Sequence, residues 1–368
     1  MAKRKRTVEG LVMLEFFRGK RVLVTGHTGF EGSWLSMLLL YAGAEVTGYA
    51  LEAPTEPNMF GLLKLSKDIR CIRGDVRNLE ALSAAFAQAK PEIVIHMAAQ
   101  PLVREGYRDP AGTYATNVMG TVNLMECVRH CDPVRSVLNV TTDKVYHNRE
   151  WVWGYREIDE LDGFDPYSNS KSCAELVTGC YRNSFWQERE LAVSTARAGN
   201  VIGGGDFAND RIVPDCVRAV MATQSIQVRN LNSVRPYQHV LEPLYAYLLL
   251  VQRQWQDIRL AGSYNIGPEE WDCVPTGRLA DLFVQAWGEP AAWEDGSESG
   301  AVHEASYLKL DCTKMKSTFD WKPRWNIQEG MQRTVDWYKA YQSGGDLRAK
   351  TLAQIEAFLN ETAAGGNG

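Results

Sequence analysis

Two periodicities alternate along the chain as far as about Asn200. Short unbroken apolar runs stand at Arg21–Thr25, Glu45–Ala50, Ile69–Ile72, Glu92–His96, Val137–Thr141 and Ala192–Ala196. Stretches with helical spacing, such as Ser33–Tyr41 and Asn78–Ala89, lie between them. Strands apolar on both faces and joined by helices predict a parallel sheet covered on both sides, with right-handed crossovers. The rhythm breaks at the turn Gly203–Asp206. Isolated strands (Ile226–Arg229, Ser263–Ile266) then mix with helices at Pro275–Trp287 and Ile327–Tyr341. The expected fold is α/β: a doubly wound parallel sheet with a smaller α+β C-terminal substrate-binding lobe closing over the sheet's carboxyl edge.

On this reading residues 1–18 are a disordered N-terminal extension and 19–200 form the sheet domain, with a returning segment near 236–262. Residues 201–345 make most of the second lobe and 346–368 a tail, disordered at Ala363–Gly368. Helices at Tyr107–His130 and Tyr167–Gln187 should flank the sheet.

Composition narrows the function. The chain has 368 residues, enough for a large core, with 45% apolar and 23% charged residues. A net charge of −5 argues against a nucleic-acid partner, and Lys3–Arg6 reads as a solvated terminal segment. The longest apolar run, Met37–Ala42, is too short to cross a membrane. Eight scattered cysteines without a Cys-x-x-Cys pair, and no apolar leader, favour reduced thiols and a cytoplasmic location. Cys127 and Cys131 share a helix face but lack histidine partners, so no metal site is expected.

Gly26-His27-Thr28-Gly29-Phe30-Glu31-Gly32 follows the first strand and opens the first helix. Glycines three apart allow a tight turn, close approach to a pyrophosphate and packing of helix on strand, and the helix N-terminus adds N–H donors. In this strand–turn–helix setting the loop predicts a Rossmann-type dinucleotide site. Ala50, at the end of the second strand, carries no carboxylate, so Glu52 is the candidate for the adenosine ribose. With an acid there and no Arg or Lys nearby in the sequence, NAD is favoured over NADP. Asp75-Val76 is read either as an adenine contact or as the N-cap of the helix at Asn78–Ala89. Ala98-Ala99-Gln100 is small where backbone must pass the dinucleotide.

Tyr167 and Lys171 stand one helical turn apart and share a face. A phenol is a poor base at neutral pH unless a nearby ammonium and a cationic ring stabilise the phenolate. That pair suits hydride removal from an alcohol. Thr142-Asp143-Lys144, at the end of a central strand, adds an acid and an amine that simple hydride transfer does not need.

These motifs resemble the extended short-chain dehydrogenase/reductase superfamily, within it the sugar-nucleotide 4,6-dehydratases, and most closely the CDP-glucose 4,6-dehydratases. The likeness runs from about Gly19 to Tyr341. It rests on Val24–Phe30, His96–Arg104, Asp143–Tyr146, Glu150–Glu157, Arg197–Asp206, Gln238–Leu244, His303–Ala305 and Tyr307–Asp311. Relatives acting on other sugar nucleotides usually carry Thr-Asp-Glu where this chain has Thr142-Asp143-Lys144. The resemblance implies a lyase that converts CDP-glucose to the 4-keto-6-deoxy sugar with NAD. Oxidation at C4, loss of water across C5 and C6 and return of hydride to C6 leave no net oxidation.

The resemblance also implies site residues. Tyr167 takes the O4 proton beside Lys171, and Thr142 hydrogen-bonds O4. Lys144 removes the C5 proton or stabilises the enolate, and Asp143 protonates the departing C6 hydroxyl. As a base Lys144 must be neutral, which requires burial or nearby positive charge to pull its amine well below its usual ~10.4. The reading is a protonated Asp143 during elimination, the alternative a fixed Lys144 cation stabilising the enolate. The cofactor set is Gly26, Thr28, Gly29, Phe30, Gly32, Asp75, Val76, Ala98, Ala99, Gln100, Asn117 and Thr141, with Tyr167 and Lys171. The substrate set is Gln100, Arg104, Thr142, Asn200, Arg211, Arg235 and Tyr307. A homodimer or homotetramer through helix faces, and a role in deoxysugar supply for lipopolysaccharide O-antigen, also follow from the resemblance.

Two positions depart from the pattern. Glu31 stands where relatives often carry lysine, either turned to solvent or weakening cofactor affinity. His147 stands where an acid is more usual. A sugar-nucleotide 4-epimerase would share the fold, Tyr167 and Lys171 but needs no Asp143-Lys144. A catalytically silent dinucleotide sensor needs neither Tyr167 nor Lys171.

Overall fold

The computed structural model describes residues 13–186, 189–297 and 307–361. Seven strands form one parallel sheet: β1 (Arg21–Thr25), β2 (Glu45–Ala50), β3 (Arg70–Arg73), β4 (Ile93–His96), β5 (Ser136–Val140), β6 (Ala192–Ala198) and β7 (Ser263–Ile266). Their order across the sheet is β7-β6-β5-β4-β1-β2-β3, so the direction of winding reverses between β1 and β4. Such a reversal opens a crevice beyond the carboxyl ends of the strands.

The covering helices include α1 (Phe30–Tyr41), α2 (Leu79–Ala89), α3 (Gly120–Arg129), α4 (Pro166–Phe185) and α5 (Leu241–Gln256). Side chains of β1 alternate between two apolar clusters, Val22 and Val24 in one and Leu23 in the other. A strand buried on both faces is why its apolar run is unbroken, each such side chain contributing about 1.5–3 kcal/mol.

The second lobe is built from two-stranded pieces. Val201–Ile202 pairs with Gln238–His239, Val234–Arg235 with Val274–Pro275, and Ile226–Val228 with Trp293–Asp295. Helices Ile212–Met221, Thr276–Trp287 and Ile327–Gln342 pack around them.

Several expectations change. Ser263–Ile266 is not an isolated strand of the second lobe; α5 carries the chain back, and the strand joins the large sheet beside β6. The N-terminal extension is not wholly disordered, because Met13, Leu14 and Phe17 are buried in the core. The tail holds a helix, Leu347–Asn360, capped by Asp346 and packed on Ile327–Gln342, with Trp337 Nε1 donating to Thr351 Oγ1 at 3.0 Å. The stretch Tyr107–His130 is interrupted: Val103–Arg108, Pro110–Tyr114 and a π turn at Ala115–Met119 precede α3. Lys3–Arg6, Gln187, His303–Ala305 and Ala363–Gly368 lie outside the described residues.

Candidate active site

A cleft of about 1310 Å³ lies over the carboxyl ends of the sheet. Ligand pockets usually span about 300–1,000 Å³, so this one has room for a dinucleotide and a second ligand.

At the crevice, Gly26 has φ +77°, and a Cβ there would lie 2.8 Å from Ala98 N. A Cβ on Gly32 would lie 2.2 Å from Gly26 O. The loop after β1 therefore closes against the segment after β4 only because these positions lack side chains. Thr25 Oγ1 locks the two segments, accepting from Met97 N (3.1 Å) and Ala98 N (3.2 Å) and bonding His96 Nδ1 (2.7 Å). Thr28, Gly29, Phe30, Ala98, Ala99, Asp75 and Val76 line the cleft. The cradle and the helix N-terminus of α1 fit a dinucleotide's pyrophosphate.

Asp75 is not the cap of α2; Asn78 is, accepting from Ala81 N at 3.0 Å. The Asp75 carboxylate grips Arg77 at 2.6 Å, and that hydrogen bond holds it below the usual carboxylate range. Glu52 also has a cation beside it that sequence spacing hid: Arg73, at the end of β3, lies 2.7 Å away.

Gln100 and Asn117 do not line the cleft. Asn117, in the π turn, accepts from Gln100 N (2.8 Å) and donates to Gln100 O (3.1 Å) and Ser170 Oγ (2.8 Å). The Gln100 side chain binds Thr113 Oγ1 (2.9 Å) and Leu102 N (2.6 Å). Both residues shape the loop after β4 rather than present polar atoms to a ligand.

Asp165 caps α4, accepting from Tyr167 N (2.9 Å) and Ser168 N (3.0 Å), with Pro166 in the first turn. That start puts Tyr167 and, one turn on, Lys171 against the ends of β5. Lys171 Nζ donates to Val140 O at 3.1 Å. Burial lowers the Lys171 amine to about 8, with Glu31 and Glu175 opposing. Burial raises the Tyr167 phenol, while Thr142 and Arg211 act the other way.

Beyond β5, Thr142 caps a tight turn over Asp143–Val145. Asp143 is fully buried: its Oδ1 accepts from Thr142 Oγ1 (3.0 Å) and Lys144 Nζ (3.1 Å), and its Oδ2 has no partner. Lys144 reaches the cleft and also donates to Asn200 Oδ1 at 3.1 Å. The acid thus sits behind the amine rather than beside it. The Thr141 hydroxyl turns inward to Glu175 Oε1 at 2.5 Å.

In the second lobe Asn200, Arg211 and Arg235 line the cleft, as does Arg104 after β4. Arg211 pairs with Asp206 and Arg104 with Asp210, each at 3.0 Å. Tyr307 does not line it: its backbone bridges to Val234, its carbonyl takes Asn148 Nδ2 at 3.1 Å, and the next residue, Leu308, faces the cleft. His147 pairs with Asp162 at 3.0 Å at the cleft wall. Glu31 does not turn to bulk solvent; it lines the cleft, where burial raises its carboxyl against the opposing pull of Arg211.

Sequence reasoning missed the support behind the site. Glu175, one turn after Lys171, holds Thr141, Thr195 Oγ1 (2.7 Å) and Arg197 (2.8 Å), and Arg197 reaches Tyr146 Oη at 2.8 Å. An arginine inside the otherwise small and apolar run of β6 was the available signal.

Comparison with known proteins places this geometry. The model of the GDP-mannose 4,6 dehydratase family matches residues 23–334. The chain belongs to this family. The dehydratase match runs from β1 into the helix Ile327–Gln342, so the buried segment around Met13 and the helix Leu347–Asn360 lie outside it. A CDP-glucose 4,6-dehydratase from Salmonella typhimurium is 47% identical over 353 residues, 94% of this chain and 98% of that one. A dTDP-glucose 4,6-dehydratase from Bacillus anthracis, solved in complex with NAD, shares the fold (TM-score 0.74, 23% identity, 89% of this chain and 99% of that one). So does a UDP-glucose 4-epimerase from Thermotoga maritima, solved with UDP-glucose (TM-score 0.77, 21% identity, 87% and 99%). Among the described residues no group of His, Cys, Asp or Glu could hold a metal ion, and no helix is long and apolar enough to cross a membrane.

Proposed function

We propose that this chain is an NAD-dependent CDP-glucose 4,6-dehydratase, a hydro-lyase yielding CDP-4-dehydro-6-deoxy-glucose. The observation that carries the proposal is Lys144 beside Thr142 and Tyr167 in one cleft, with the buried Asp143 carboxylate paired to its amine from behind. The choice of cytosine rests on the 47% identity to the Salmonella enzyme.

NAD, when bound, accepts hydride from hexose C4 and gives it back at C6. The glycine loop, Asp75, Val76, Ala98 and Ala99 would hold it. Tyr167 takes the O4 proton, with Lys171 and Thr142 stabilising the phenolate and orienting O4. The 4-ketone then acidifies C5–H. Moving the shared proton from Lys144 Nζ to Asp143 turns the ion pair into a neutral amine and a carboxylic acid, the two forms that elimination requires. Lys144 takes the C5 proton. Asp143, closed off from the cleft, delivers its proton through the Thr142 hydroxyl, which takes it up while passing its own to the leaving C6 hydroxyl, and water departs. Lys144 returns its proton to C5, and the proton that Tyr167 took from O4 replaces the one Asp143 lost.

Asn200 and Arg235 grip the sugar diphosphate through charge-assisted hydrogen bonds, with Arg211 nearby, and Arg104 is placed to reach the hexose or the cofactor. Exposed Met119, Leu176 and Phe185 on and beside α3 and α4 support a homodimer or tetramer through those faces. The enzyme would act in the cytoplasm, supplying a deoxysugar for O-antigen or a related glycan.

Incubation with CDP-glucose and NAD tests the proposal. A 4-keto-6-deoxy product, read by its ultraviolet absorbance in alkali, supports it. A C4 epimer, or no turnover of any sugar nucleotide, overturns it.

A further inference from the structure

Glu31 occupies the first turn of α1 between Phe30 and Gly32, inside the glycine loop. Its carboxyl faces the cleft among Arg211, Lys171 and Asp206, and its field reaches Tyr167 and Tyr247. The two cations already have partners: Arg211 bridges to Asp206 at 3.0 Å, and Lys171 donates to Val140 O at 3.1 Å. Burial raises the Glu31 carboxyl while Arg211 and Lys171 favour its ionised form. Among the described residues it has no ion pair of its own; ionised, it adds a negative charge to the end of the cleft where Tyr167 and Lys171 stand. That end is where hydride is exchanged.

We propose that Glu31 is a redox-state-discriminating residue, holding the oxidised, cationic nicotinamide more tightly than the reduced, neutral one. The inference rests on the dinucleotide reading of this cleft and goes beyond it. A carboxylate attracts a ring that carries positive charge and is indifferent to one that has lost it, and the effect is large where water is partly excluded. The diphosphate is the same in both redox states, so plain repulsion between Glu31 and the pyrophosphate would weaken both forms alike. Charge on the ring is the only part of the ligand that distinguishes them.

The consequence suits a reaction that borrows hydride. A site that prefers the oxidised cofactor favours return of hydride to the sugar and retains the cofactor in the form needed for the next turnover. The nearby cations Lys171 and Arg211 push the other way, and Glu31 offsets them.

The test needs no sugar and no turnover. The full chain is titrated separately with NAD and with NADH, following protein and nicotinamide fluorescence. Glu31→Gln should raise Kd for NAD about tenfold and leave Kd for NADH within about twofold, lifting the potential of the bound couple by ~30 mV. Glu31→Asp, which keeps the charge, should keep the wild-type ratio. Parallel changes in both constants, or an unchanged ratio in Glu31→Gln, overturn the assignment. Because binding alone is read, this outcome is independent of whether CDP-glucose proves to be the substrate.

Discussion

Lys144 Nζ lies 3.1 Å from Asp143 Oδ1, and the carboxylate it meets is completely shut off from solvent while the lysine side chain keeps 29% of its exposure. The amine is therefore the face that the pair shows to the cleft, and the acid lies behind it.

Lys144→Met should retain loss of hydride from C4 and abolish release of water. Following C4-deuterated substrate alongside product formation separates the two steps. Dehydration should fall by at least about 10²-fold, the usual range for a proton-transfer group. Unimpaired dehydration would remove Lys144 from the mechanism.

Tyr167→Phe should bind dinucleotide and sugar nucleotide within a few-fold of wild type and lose C4 oxidation by about 10²–10⁴-fold. Equilibrium binding set against single-turnover rates checks this. A comparable loss in binding would make the tyrosine a ligand contact only.

Gly26→Ala forces a side chain onto φ +77° and 2.8 Å from Ala98 N. The loop must move away from the segment after β4, so dinucleotide affinity should drop while the circular dichroism spectrum persists. Retained affinity would show that the close approach is dispensable.

Glu175→Ala leaves Arg197 buried without its 2.8 Å partner. Stranding one member of a buried pair costs about 3–5 kcal/mol. Urea unfolding should show a loss in that range, together with reduced activity from the freed Thr141. A change below about 1 kcal/mol would mean water or relaxation replaces the partner.

Glu242 is fully buried and accepts from Arg324 N (2.9 Å) and Trp325 N (2.6 Å), and burial raises its carboxyl to about 8. The folded chain holds this proton up to about 8, whereas an exposed carboxyl releases it near 4.5. Stability is therefore fullest below the lower value and declines as pH rises to about 8, by an amount on the order of a few kcal/mol. Glu242→Gln keeps an acceptor and removes the titration, so its unfolding midpoint should fall less between pH 5 and 8. Equal slopes would exclude Glu242 as the source.

Legibility followed the range of the interactions. The strands of the sheet were readable because each is buried on both faces and records that burial in consecutive residues. The Tyr167–Lys171 pair was readable because one helical turn joins them. The helix Leu347–Asn360 was missed because its apolar stripe is weak and acquires meaning only against Ile327–Gln342. Spacing alone makes Gln100 a ligand contact because its neighbours do line the cleft, but the adjacent Leu102 N and Thr113, brought close by the broken helix, claim its amide.

The sequence by itself determined the strands at the start of the sheet, the glycine loop and the spacing that sets Tyr167 and Lys171 on one helix face, because local chemistry and spacing encode these. Only the tertiary structure decided that Asp143 lies behind Lys144, that Asn200 meets the same amine and that Glu31 faces the cleft. Those relations join residues from different elements, and a side chain's burial and partners depend on which elements pack around it.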